Sequence, residues 1–192
     1  MKLKTSSRLI VLLCALSMSV AYFSSVWKIE LEAPQYPEGL KMEIWVNDIK
    51  GDISSINNLN HYIGMSTIHV EDFPEFKILP VLLAIMIAWG ILAAALNTRK
   101  ALFSWVLFLI LVAAVASVDF WLWEYKYGHN LDPHAAIKIP GMSYQPPLIG
   151  YKELLNFLAG SLPDTGGYFI IVPAVISAGV LWMEHFIFSK KT

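Results

Sequence analysis

Of the seven histidines and methionines in the segments between the long apolar blocks, five are the candidates to hold a soft metal ion: Met42, His61, Met65, His69 and Met142. Imidazole and thioether together suit copper, and thioethers in particular favour Cu(I). His61, Met65 and His69 recur every four residues. A helix running through all three would put them on one face. Asn57, Asn58 or Asn60 could then orient an imidazole by a hydrogen bond. A second reading stays open. His61 and Tyr62 fix the local fold by hydrogen bonds, Met65 packs beneath them, and Gly64 weakens any helix continuing to His69. No Cys-x-x-Cys, His-x-His or Met-x-x-Met cluster adds to the set.

Enzyme templates are absent. There is no phosphate-cradling GxxxxGK[ST], no GxSxG elbow and no HExxH, so no catalytic activity is expected. Asp119 and Glu124 are five residues apart, a spacing that does not hold two carboxylates on one helix face. With Trp121, Trp123, Tyr125 and Tyr127 they read as an interfacial belt, where amphipathic aromatics meet the headgroups. Cys14, the single cysteine, cannot form an internal disulfide.

The elements that must position these groups follow from hydropathy. Of 192 residues 56% are hydrophobic and 15% charged, with a mean hydropathy of +0.55. The net charge of −1 gives no reason to expect a nucleic-acid partner. A bilayer core about 30 Å thick needs about 20 apolar residues in a helix. Four blocks qualify, at about 9–27, 78–96, 101–123 and 168–188. The expectation is an all-α membrane protein, with residues 1–192 forming one integral membrane domain of four transmembrane helices. The first block has a rival reading as a secretory signal, with Lys2, Lys4 and Arg8 before it and Ser19-Val20-Ala21 as a cleavage site. Tyr22, Phe23, Val26 and Trp27 continue the apolar run and favour an uncleaved anchor. Gly90 and Ala93 in the second block, with Ala113 and Ser117 in the third, would let those two helices pack closely.

Lys2, Lys4 and Arg8, then Arg99 and Lys100, then Lys190 and Lys191 all fall on one side of a four-span chain. The positive-inside rule makes that side cytoplasmic, N-in and C-in. The segments 28–77 and 124–167 then lie outside and are expected to pack as one small cap. Leu40, Met42, Ile44 and Val46 alternate with polar residues, a short strand pattern. Residues 54–65 have helical spacing, with Asp52 or Ser54 as cap. Asp132-Pro133 reads as a helix start. Residues 152–161 read as a short helix along the membrane surface.

The strings APQYPEGLKMEIW, INNLNHYIGM and LDPHAAIKIPGMSYQPPLIGYKELLNF cover most of both outer segments. In them the chain resembles a family of small four-helix bacterial membrane proteins encoded beside nitrous oxide reductase and copper-maturation genes. The resemblance implies the cytoplasmic (inner) membrane of a bacterium and a role in maturation or support of a periplasmic copper enzyme. Copper, as Cu(I), would be the cofactor or cargo. The lipid bilayer and a periplasmic or membrane protein would be the partners. The alternative is a metal-free structural partner that docks a periplasmic protein through PQYPEGL and PGMSYQPP, where Tyr36, Trp45, Tyr144 and Tyr151 could anchor an interface.

The topology is testable by cysteine labelling from the outer side. Positions 50 and 138 are expected to react and positions 98 and 191 to stay protected. Reaction at 98 would overturn the scheme.

Overall fold

The computed structural model describes residues 2–154 and 156–186. The third basic cluster, Lys190 and Lys191, and the end of the fourth apolar block lie outside the described residues. Four helices are long and apolar enough to cross a membrane: Thr5–Tyr22, Leu79–Leu96, Arg99–His129 and Thr165–Phe186. They are α1 (Thr5–Ser17, continued by a 3-10 stretch, Met18–Tyr22), α3 (Leu79–Leu96), α4 (Arg99–His129) and α5 (Thr165–Phe186). Leu9, Leu13, Val81, Leu107, Leu111 and Val175 remain exposed on their outer faces. So much exposed apolar surface suits lipid as the solvent.

Inside the bundle Val11, Ala15, Met18, Ala93, Leu102 and Trp105 are wholly or almost wholly buried. The Trp105 indole donates to the Met86 carbonyl at 2.9 Å. A Cβ on Gly90 would lie 2.5 Å from the Trp105 ring, so only glycine lets α3 meet α4 there. The run from Ala113 to Ser117, expected at this contact, faces outward instead. At the basal end Glu184 is 1% exposed. Its carboxylate accepts from the Lys4 backbone N–H at 2.9 Å and pairs with Arg99 at 3.6 Å. One side chain of α5 thereby ties the starts of α1 and α4.

The expected all-α class is corrected at the other end. The outer segments form a five-stranded antiparallel sheet in the order β3-β2-β1-β5-β4. Its strands are β1 (Trp27–Ala33), β2 (Tyr36–Ile44), β3 (Ile49–Gly51), β4 (Gly150–Leu154) and β5 (Phe157–Pro163). The alternation at 40–46 lies in β2 and just beyond it. The stretch 152–161 is not a surface helix but most of the β4–β5 hairpin. Its apolar spacing suits a helix, but β5 pairs with β1 along six residues, and Tyr151 covers Gly160 so closely that a side chain there would collide. Non-local pairing overrides local propensity. Trp27, expected at a membrane interface, opens β1 and donates to the Ser161 hydroxyl at 2.8 Å.

Between β3 and the bundle lies α2 (Ile53–Ile63), with Asp52 at its N-cap position. It ends at Gly64, φ 80°, where the Met65 N–H bonds to the Asn60 carbonyl at 2.9 Å. The helix start expected at Asp132-Pro133 makes only a turn. The Asp132 carboxylate accepts from the His134 N–H at 2.8 Å. The segment is then claimed by α2, through Asp132 N–H to Gly64 and Ile137 N–H to Tyr62.

Cap and bundle join where α5 begins. The Ser25 hydroxyl donates to Asp164, and the Gly166 N–H donates to the Ser25 carbonyl at 2.8 Å. Burial works to raise the Asp164 pKa. The Ser25 and Thr165 hydrogen bonds, with Lys41 and Lys28 nearby, outweigh it and hold the carboxyl below its ordinary value. A Cβ on Gly167 would run into the Val26 carbonyl oxygen. Gly167→Ala is therefore expected to destabilise the fold by about 1–3 kcal/mol. A lower thermal midpoint in detergent checks this, and an unchanged midpoint would show that the junction can open without cost.

Candidate functional site

The 31 residues of α4 span about 46 Å at 1.5 Å each. That exceeds a bilayer core of about 30 Å. Its last turns therefore rise into the cap. Phe120, Trp123, Glu124 and Tyr127 follow the i, i+3, i+4, i+7 pattern of one helix face. Three of the four are aromatic and build a cluster: Trp27 meets Phe120 edge-on at 5.6 Å, Phe120 stacks on Trp123 at 5.7 Å, and Phe73 meets Trp123 at 5.4 Å. The fourth is a carboxylate.

Above this face lies the inner side of the sheet. Ile29 pairs with Met42 on one side and Ser161 on the other. Ile56, Leu59, Asn60 and Ile63 of α2 close one wall, and Tyr144 and Pro146 of the loop before β4 close another. A cavity of about 70 Å³ remains between them, also lined by Met42, Met65 and Glu124. Glu124 is 0% exposed. Among the described residues neither of its oxygens has a hydrogen-bond partner, and the buried Tyr144 hydroxyl has none either. Among the described residues no Lys, Arg or His lines the cavity. A buried, unpartnered carboxyl group is costly, so its presence needs a reason beyond packing.

The metal candidates divide. Met42, 2% exposed, and the half-buried Met65 come together at this cavity, from β2 and from the residue after Gly64. His61 does not join them. It lies exposed in a shallow groove with Tyr36, Asn57, Asn58, Tyr62 and Thr67. The αL turn at Gly64 ends the helix, so the four-residue spacing of His61, Met65 and His69 does not become one face. His69 is exposed, 3.1 Å from the Thr67 hydroxyl. Met142 lies in a turn whose N–H bonds to Ile139. Asn57 and Asn60 are committed to the backbone of residues 66–68 rather than to an imidazole: Asn57 bonds both ways with Ile68, and Asn60 donates to the Ser66 carbonyl. Among the described residues no group of three or more His, Cys, Asp or Glu could hold a metal ion. The donor set that remains is two thioethers beside one carboxylate, which fits a soft cation.

Sequence reasoning missed Glu124 by assigning it to the interfacial belt. The available clue was its place in an aromatic stripe of period 3.6.

Replacing Glu124 by Met removes the buried unpartnered group and fills the space. It is expected to stabilise the fold by about 1–2 kcal/mol, the desolvation cost recovered. A raised thermal midpoint checks this, and a clear fall would show that Glu124 serves the fold itself. Compared with protein-family models, curated proteins and solved structures, the chain matches none of them.

Proposed function

We propose that the chain is a membrane accessory factor that handles Cu(I) for a periplasmic copper enzyme. The observation that carries this reading is that Met42 and Met65, two of the soft donors picked out by residue type, line one cavity although they lie on separate elements. Its size supports an ion rather than an organic cofactor. About 70 Å³ is half of the roughly 150 Å³ that an apolar cavity offers to benzene, and far below the several hundred Å³ of ordinary ligand pockets. Quinone or haem would need the cap rebuilt. The role is presentation of metal to a partner, without catalysis.

In this reading the cap is periplasmic and both termini are cytoplasmic, in the inner membrane of a bacterium. Lys2, Lys4 and Arg8 and, in the turn before α4, Arg99 and Lys100 support it, since they flank the basal end of the bundle. The metal-free docking reading has its own support in the open groove of Tyr36, His61 and Tyr62 on the far side of α2. Exposed aromatics beside a polar rim suit a protein partner.

Copper titration of the full chain in detergent under reducing conditions separates the two. One Cu(I) per chain is expected, lost in the Met42→Leu, Met65→Leu double variant and kept in His61→Ala. Absence of binding to the wild type would leave only the docking reading.

A further inference from the structure

The lining of the cavity carries one carboxyl group and no counter-charge. Glu124 is fully buried, and the neighbouring polar groups do not answer it. The Asn60 amide is spent on Ser66, and the Tyr144 hydroxyl is not within hydrogen-bond reach of any acceptor among the described residues. The Trp123 indole N–H is buried and does not bond to it either, and the other described lining residues except Tyr127 are apolar or aromatic without a charge to offer. Such a carboxyl group keeps its proton while the cavity is empty, and a cation that enters can take the place of that proton.

We propose that Glu124 is the anionic ligand of a monovalent soft-cation site, with the thioethers of Met42 and Met65 as its neutral ligands. The inference rests on the copper reading above and adds the charge rule of the site. One carboxylate balances one positive charge, and the occupied cavity is neutral. A divalent ion would leave a net charge in an apolar surround, where desolvation is least forgiven. Ligand chemistry points the same way. Calcium takes six to eight oxygens and magnesium a near-ideal octahedron, and the cavity offers neither. Zinc sites draw on Cys, His and carboxylates, and no Cys or His lines this cavity. Cu(I) and Ag(I) accept thioethers and low coordination numbers. Met65 follows directly on the αL turn at Gly64, whose position is pinned against Ala135 and Asp132. One soft donor is therefore set by a helix end and the other, Met42, by a strand position paired on both sides, with Ile29 and with Gly51.

Ag(I) is the suitable probe, because it is monovalent, soft and not oxidised by air to a divalent ion. The full chain in nanodiscs is titrated with Ag(I), in competition with Zn(II) and Cu(II), and retained metal is counted by mass spectrometry. The wild type is expected to hold one Ag(I) that equimolar Zn(II) does not displace. Glu124→Gln keeps the shape and removes the charge, and is expected to bind Ag(I) about 100-fold more weakly. Glu124→Leu, whose fold is read from its melting, is a second charge-free variant that brings no donor atom and has the same expected loss, and Glu124→Asp should recover part of the affinity. Wild-type affinity in folded Gln and Leu variants would overturn the role of Glu124 while leaving the two methionines standing. Displacement of Ag(I) by Zn(II) would overturn the charge rule. No binding of Ag(I) or Cu(I) by the wild type would end both this inference and the reading it rests on.

Discussion

The pairing of β1 with β5 holds the molecule's two ends of sequence in one object. Trp27 and Ser161, joined by a side-chain hydrogen bond, are separated by 134 positions. Neither outer segment has a complete sheet without the other, because β1 is the central strand and takes one neighbour from each. Strand side chains alternate between faces, so a slip of one residue would turn the inner face outward. The indole–hydroxyl bond at the start of the ladder, with the burial of Ile29, Ala159 and Ser161, fixes the register that puts Ile29 and Met42 over α4. The charged residues then fall on the other face, where Lys28 pairs with Glu30 and Lys41 with Glu43. Such exposed pairs are worth at most about 1 kcal/mol each, so the register is set by the buried face rather than by them.

The sheet needs a support at the right height, and α4 is that support. Thr98 caps its base by accepting from the Ala101 N–H at 3.2 Å. Its far end is gripped by the aromatic cluster and by the loop that returns toward β4. The Tyr144 N–H donates to the Gly128 carbonyl at 2.9 Å. A side chain at 128 would collide with Gln145, so glycine allows the loop to lie against the helix. Glu124 is one turn below that contact. A shorter α4 would have ended at the membrane and left the cap without a floor. The extra length thus converts a transmembrane helix into one wall of a cavity.

Much of this was legible in local pattern. The four apolar blocks, the short strand alternation around Met42 and the helix expected over residues 54–65, which the structure ends at Ile63, follow from hydropathy and periodicity, which need only neighbours in sequence. The β4–β5 hairpin was not legible, since Leu154, Phe157 and Leu158 also satisfy helical spacing. Only the distant partner strand decides between the two. Residues 132–134 show the same limit from the other side. A sound capping sequence made its local hydrogen bond, but the chain beyond it bonds to α2 and no helix grows. For the candidate site, ligand softness identified Met42 and Met65, whereas spacing grouped Met65 with His61 and was undone by one left-handed glycine. Glu124 was visible as a carboxylate in an aromatic stripe, but the same residues also satisfy the membrane-belt pattern.

Two separate costs meet at that cavity. Unfilled volume in a core forfeits dispersion contacts, and a buried carboxyl group without partners forfeits its hydration. Either alone is an ordinary imperfection. Apolar residues at 124 and 144 would remove the second cost, and larger side chains at 42 or 65 would reduce the first. Each such change lies within reach of a single substitution. Three buried polar groups elsewhere are answered: Glu184 by Lys4 and Arg99, Ser161 by Trp27 and Leu148, Ser177 by Pro173. The unpartnered Glu124 carboxyl group and the unfilled space coincide with the two soft donors in one place. Local rules are broken together where a sequence serves something other than its own stability. That coincidence, rather than any single residue, is what supports the proposed site over a packing flaw.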